Sequence, residues 1–199
     1  FIFADVSGSI QGEPKIPLSK RPRLNDNEWS NYCNKISEIA KRWCDIGLPM
    51  SYHEHMGTII QSEQDIYRLL DNTNDKTSLL FDTGHIFFAK GDYESILKKY
   101  IGRVNHVHCK DIRQEIFKQV LEKDLSFLDA VLEGVFTVPG DGFIDFENLA
   151  KVLAEINYSG WVVVEAEQDP EKANPLEYSR MGYQHLSNVL NEAGLEIRS

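Results

Sequence analysis

Four short stretches crowd imidazole and carboxylate side chains directly behind apolar runs: Tyr52-His53-Glu54-His55, Phe81-Asp82-Thr83-Gly84-His85, His106-Val107-His108-Cys109-Lys110-Asp111 and Val164-Glu165-Ala166-Glu167. A hard or borderline divalent cation takes carboxylate oxygens with one or two imidazoles, and the stretches supply both without needing a thiolate. Mn²⁺ or Co²⁺ suits such a donor set best, with Zn²⁺ and Mg²⁺ also compatible. Each stretch is weak evidence alone, because a carboxylate behind a strand is commonly a helix cap and a single histidine is commonly structural. The recurrence of the pattern at successive strand ends carries the reading.

Strand geometry orders the candidates, since successive side chains point to opposite faces. Asp82, His108 and Glu165 each follow an apolar run where the strand would end, and these three are the expected metal ligands. At the second strand His53 and His55 share one direction and Glu54 takes the other, unless the strand has already ended. Glu54 and His53 therefore stand as competing fourth ligands. His85, three residues after Asp82, is either a cap of the next segment or a hydrogen-bond partner of substrate or of water at the metal. Lys110 points back to the same place and suits a substrate oxygen or enolate. Cys109 alternates away from it and is expected to be a small buried apolar group. Pro139-Gly140-Asp141-Gly142 is a turn, or else a brace that holds a lid against the site.

Something must bring these residues together. Short apolar runs alternate with stretches of helical period, the pattern of βα units on a parallel sheet. Five strands are expected, at Phe1 to Val6, Pro49 to His53, Ser78 to Phe81, Arg103 to His108 and Gly160 to Glu165. Trp161 to Val164 should be buried on both faces. Between them Trp29, Tyr32, Cys33, Ile36, Ile39, Ala40, Trp43 and Cys44 repeat at helical spacing before Gly47. Ser62 with Asp65 has the form of a capping box, Asp92 and Asp145 of N-caps, and Pro175 opens a last helix reaching about Ala193. Residues 113–138 are expected to be an inserted helix and lid. No G-x-G-x-x-G loop favours an open dinucleotide-binding sheet, whereas a barrel gathers every strand C-terminus at one mouth. The expected fold is α/β, a (β/α)₈ barrel represented by about its fourth to eighth strands, in a single domain spanning residues 1–199.

The 199 residues are 42% apolar with a formal charge of −10, a field that disfavours nucleic acid. The three cysteines form no C-x-x-C pair, which fits a reducing cytoplasm, and no segment reads as a membrane span. The chain opens on a strand-like run without an initiator Met, so a preceding segment is expected. Two open sheet edges would then make this piece prone to associate.

The motifs resemble the xylose-isomerase-like superfamily of barrels. The blocks Tyr52 to Thr58, Phe81 to His85, His106 to Asp111, Gly134 to Gly142 and Val164 to Pro175 resemble, within it, the inosose dehydratases of inositol catabolism. The resemblance implies a hydro-lyase that removes water from 2-keto-myo-inositol, with Asp82, His108, Glu165 and Glu54 on a divalent ion. It further implies proton transfer by residues among His53, His85 and Lys110, and substrate contacts from His55 and Glu167. A metal-dependent ketose isomerase or epimerase is the rival reading within the superfamily. An apurinic-site endonuclease fits the charge poorly.

Overall fold

The computed structural model describes residues 1–198. The strands are β1 (Ile2–Phe3), β2 (Met50–His53), β3 (Thr77–Asp82), β4 (Val104–Cys109), β5 (Asp111–Ile112), β6 (Phe136–Thr137) and β7 (Trp161–Val164). Five of them run parallel in one sheet, in the order β1-β2-β3-β4-β7, while β5 and β6 form a separate antiparallel ribbon. All five expected strands are present, within a few residues of their expected bounds. The first is shorter than expected because only the pairs Ile2 with Ser51 and Phe3 with Tyr52 hold it to the sheet.

The helices are α1 (Asp26–Asp45), α2 (Glu63–Asp71), α3 (Thr83–Phe88), α4 (Tyr93–Lys99), α5 (Gln114–Lys123), α6 (Phe127–Glu133), α7 (Phe146–Glu155) and α8 (Pro175–Glu192). Polar caps start them where the sequence places such caps. Asp65 and Ser62 exchange both arms of a capping box at α2, Asp92 accepts from Glu94 and Ser95 at α4, and Asp145 accepts from Asn148 at α7. A further capping box, Asn25 with Glu28 at α1, was not anticipated. Gly47, at φ +82°, turns the chain out of α1, a conformation that costs glycine little.

Buried side chains of α1, α2, α4 and α7 pack with those of the central strands. Trp29, Cys33, Ile36 and Ala40 from α1 join Ile66, Leu69 and Leu70 from α2 in a core that includes Leu79, Phe81, Val107 and Cys109. Such burial stabilises by about 25 cal/mol per Å² of apolar area.

Two expectations need correction. The first concerns β7, whose only sheet partner among the described residues is β4; Trp161 is 72% exposed and Val162 to Val164 are half-buried. Its apolar sequence therefore does not correspond to burial on both faces. The second concerns residues 113–138, which hold two helices bracketed by the β5–β6 ribbon rather than one. Arg113 braces that unit, donating to the carbonyls of Gly134 and Phe136, to Thr137 Oγ1 and to Asp141. No helix among the described residues is long and apolar enough to cross a membrane.

Candidate metal centre and active site

Because the five strands are parallel, their C-terminal ends lie on one edge of the sheet. Asp82 ends β3 directly opposite His108 in β4, and the amide of Glu165 donates to Cys109 O at 3.1 Å just past β7. Ligand atoms of Asp82, His108 and Glu165 all lie within 4.8 Å of one another. His108 Nδ1 is 2.8 Å from Glu165 Oε2 and 3.7 Å from Asp82 Oδ2. Two donors about 2.0–2.2 Å from one ion can stand no more than about 4.4 Å apart, so these separations suit a shared cation.

The strand β2 ends at His53, so alternation no longer governs the next residues. The fully buried Glu54 reaches over to β3, where Oε1 accepts from the amide of Asp82 at 3.0 Å. His53 Nδ1 lies 3.8 Å from Glu54 Oε2. His53 also forms a close ligand group with Asp82 and His85, which Glu54 does not. Both competing fourth ligands thus border the same centre.

The orphaned atoms give a sharper test of whether the residues fit an ion. Glu54 Oε2, Asp82 Oδ2, His108 Nδ1 and Glu165 Oε2 are buried without a hydrogen-bond partner, and so are Nδ1 of His53, the competing fourth ligand, and Nδ1 of His85. Buried polar atoms are seldom left so, because each forfeits its hydration. The orphaned atoms of Asp82, His108 and Glu165, with those of both candidates for the fourth ligand, form a donor set suited to a divalent cation.

The local electrostatics have the same character. Burial resists ionisation of Asp82, yet Lys110, His85 and His108 outweigh it and hold the carboxyl well below its usual range. Burial together with the Asp82 charge pushes the Glu54 carboxyl up. Burial opposes a charged His108, but the close approach of the Asp82 and Glu165 carboxylates to its Nδ1 raises it to about 9. His53 goes the other way, chiefly through burial, to about 4.

Lys110 is fully buried. Its Nζ lies 2.7 Å from Glu167 Oε2, 3.0 Å from His85 Nε2, and 3.4 Å from both Asp82 Oδ2 and Glu165 Oε2. Those three carboxylates outweigh the burial penalty and keep the ammonium charged. His85, also fully buried, has its amide capped by Asp82 Oδ1 at 2.9 Å, so one Asp82 oxygen serves the helix and the other faces the centre. His55 Nε2 is 3.4 Å from Glu167 Oε1. All nine residues expected at the site converge on this one region. Phe127 packs against His55 and His85, and Phe136 against His85 and beneath the Lys110 ammonium. These aromatic walls were not foreseen, since no local spacing signals them.

Two supports behind the site were also missed. Asp111 accepts four backbone amides, from Ile112, Gly140, Gly142 and Ile144, and so fixes the Pro139–Gly142 turn. Gly84 leaves room for Lys110: a Cβ there would stand 2.8–2.9 Å from three carbons of the lysine stem. We expect Gly84→Ala to lower the melting temperature and to displace Lys110, with kcat falling more than KM rises. An Ala variant with wild-type melting and kinetics would remove the steric argument.

Parallel strands, flanking helices and an acid–imidazole mouth at the strand C-termini define a barrel-type protein with a metal-competent centre. The family model described as xylose isomerase-like TIM barrel matches residues 9–189, and the chain belongs to that family. It is 43% identical over 198 residues to the rhizopine catabolism protein MocC of Rhizobium meliloti, covering 100% of this chain and 61% of that protein. It is 48% identical over 179 residues to the inosose dehydratase of Yersinia enterocolitica, covering 88% of this chain and 60% of the relative. The chain thus spans about three fifths of the length of these relatives. Among solved structures, the IOLI protein with a binding zinc atom superposes with a TM-score of 0.67 at 16% identity, over 87% of this chain and 60% of that one. At that identity the likeness speaks for the fold alone.

Proposed function

We propose that the chain carries the metal-binding part of a hydro-lyase that dehydrates 2-keto-myo-inositol in inositol catabolism. The observation that carries this reading is the set of four orphaned donor atoms, from Glu54, Asp82, His108 and Glu165, at the shared strand edge. Its support is the 43–48% identity to proteins described as inosose dehydratases. Those four residues would hold a divalent ion, Mn²⁺ or Co²⁺ by their donor types. Bound there, the ion supplies positive charge for the anion that develops when a proton leaves the carbon beside a ketone.

The chain's own groups then divide the remaining work. The Lys110 ammonium, held by Glu167 and His85, stands where it can donate to a substrate oxygen. His53, kept neutral by burial, offers an imidazole base beside the centre, and His85 and His55 line the same wall. A positioned acid or base of this kind contributes typically about 10²–10⁴-fold. Glu167 and His55 would contact ring hydroxyls. The free thiols of Cys33, Cys44 and Cys109 support a cytoplasmic setting. The net charge of −10 disfavours a nucleic-acid partner.

Product analysis tests the reaction. Incubation with 2-keto-myo-inositol and Mn²⁺ or Co²⁺ is expected to yield the dehydrated dione, followed by mass spectrometry as loss of one water. Conversion to an epimer of unchanged mass would instead make the protein an isomerase or epimerase.

A further inference from the structure

Beside the Asp82–His108–Glu165 group lies a second convergence of ligand atoms that the metal reading does not use. Ligand atoms of His55, His85 and Glu167 lie within 4.8 Å of one another, and the two imidazole rings are 4.0 Å apart between centroids. The hydrogen bonds fix which ring atoms face this point. His55 Nδ1 lies 2.9 Å from the carbonyl oxygen of Met56, which can only accept, so Nδ1 carries a proton, and Nε2, 3.4 Å from Glu167 Oε1, is the nitrogen at which a metal ion would replace a proton. His85 Nε2 lies 3.0 Å from the Lys110 ammonium, which can only donate, so that nitrogen presents its lone pair. A histidine whose other nitrogen is tied to a backbone carbonyl is the arrangement that orients metal-binding imidazoles.

Two imidazole nitrogens and a carboxylate therefore form a cation site in their own right. What reaches into it is a side chain: the Lys110 ammonium bonds to Glu167 Oε2 at 2.7 Å and to His85 Nε2 at 3.0 Å, and stands 3.4 Å from Asp82 Oδ2 and Glu165 Oε2 of the first group. Gly84, with no side chain of its own, leaves the channel through which the lysine stem reaches that position. We infer that Lys110 is the built-in occupant of a second cation site formed by His55, His85 and Glu167, and that the lysine keeps the centre to one metal ion. Without it, the same three residues take a second divalent ion. The inference relies on the proposed metal centre only for the first ion of the count.

Counting bound ions tests it. Wild type, Lys110→Met and the double variant Lys110→Met with His55→Ala are equilibrated with Co²⁺, desalted, and assayed for cobalt and protein. The expected ratios are one, two and one ion per chain, with a second set of Co²⁺ absorption bands only in Lys110→Met. Equal ratios in wild type and Lys110→Met overturn the inference, as does a wild type that already holds two. A ratio of zero in wild type and one in Lys110→Met, lost again on His55→Ala, would sustain the second site while refuting the Asp82 centre. If Lys110→Met does not give a cooperative melt, Lys110→Gln, which keeps a donor for Glu167 without the charge, is counted in its place against the same expectations.

Discussion

Replacing Asp82 by Ala is expected to abolish stoichiometric binding of a divalent ion and to lower any dehydration of keto-inositol by ~10²–10³-fold or more, the size that loss of a charge stabiliser at a reacting centre carries. Asp82 contributes twice. Its Oδ2 is an orphaned atom at the centre, while Oδ1 caps the amide of His85. Ala removes both, so its melting temperature should fall as well. Asp82→Asn separates the effects, because its amide oxygen can retain the cap while the carboxylate charge at the centre is gone. The Asn variant should melt above the Ala variant because the cap survives, yet below metal-free wild type because its NH₂ faces Lys110 and His108, and it should still fail to retain the ion. Metal content after dialysis, read beside the melt, decides the matter. An Ala variant that keeps the full complement of ion would refute the assignment.

Asp111→Ala is expected to be among the most destabilising single changes, at about 3–5 kcal/mol. Four backbone amides spread over residues 112–144 donate to this one buried carboxylate at 2.8–3.1 Å. Each amide left unpaired forfeits roughly 1–3 kcal/mol, reduced where water enters as the loop relaxes. Gly142 packs so closely on Asp111 that a Cβ at Gly142 would collide with the carboxylate. The isosteric Asp111→Asn should recover little: either orientation of the amide turns its NH₂ group toward two of the donors. Urea unfolding measures both variants. A loss below ~1 kcal/mol in each, less than a single unpaired amide costs, would show that the Pro139–Gly142 turn is held by something else, such as the Arg113–Asp141 pair.

Much of the architecture was legible in local sequence because local physics makes it. The strands are runs whose apolar side chains must be buried, and the caps of α2, α4 and α7 are short polar side chains satisfying free amides next to the helices they start. The inference from apolar composition to burial failed only at the sheet edge. There Trp161 is exposed, because burial depends on what lies alongside a strand and not on the strand itself.

The candidate site residues were likewise readable, since each follows the end of its own strand, and parallel strands deliver their ends to one place. Residue order alone was enough to bring Asp82, His108 and Glu165 together and to set Glu54, His53, His55, His85, Lys110 and Glu167 near them. How these groups pair with one another came from the folded chain. It set Glu54 against the amide of Asp82, 28 residues away, and drew Lys110 to Glu167, 57 residues away. It also gave Asp111 its four amides and put Phe127 and Phe136 behind the histidines. These contacts depend on strand register and on where each strand stops. Both are settled by the packing of the whole sheet, so no local window of sequence contains them.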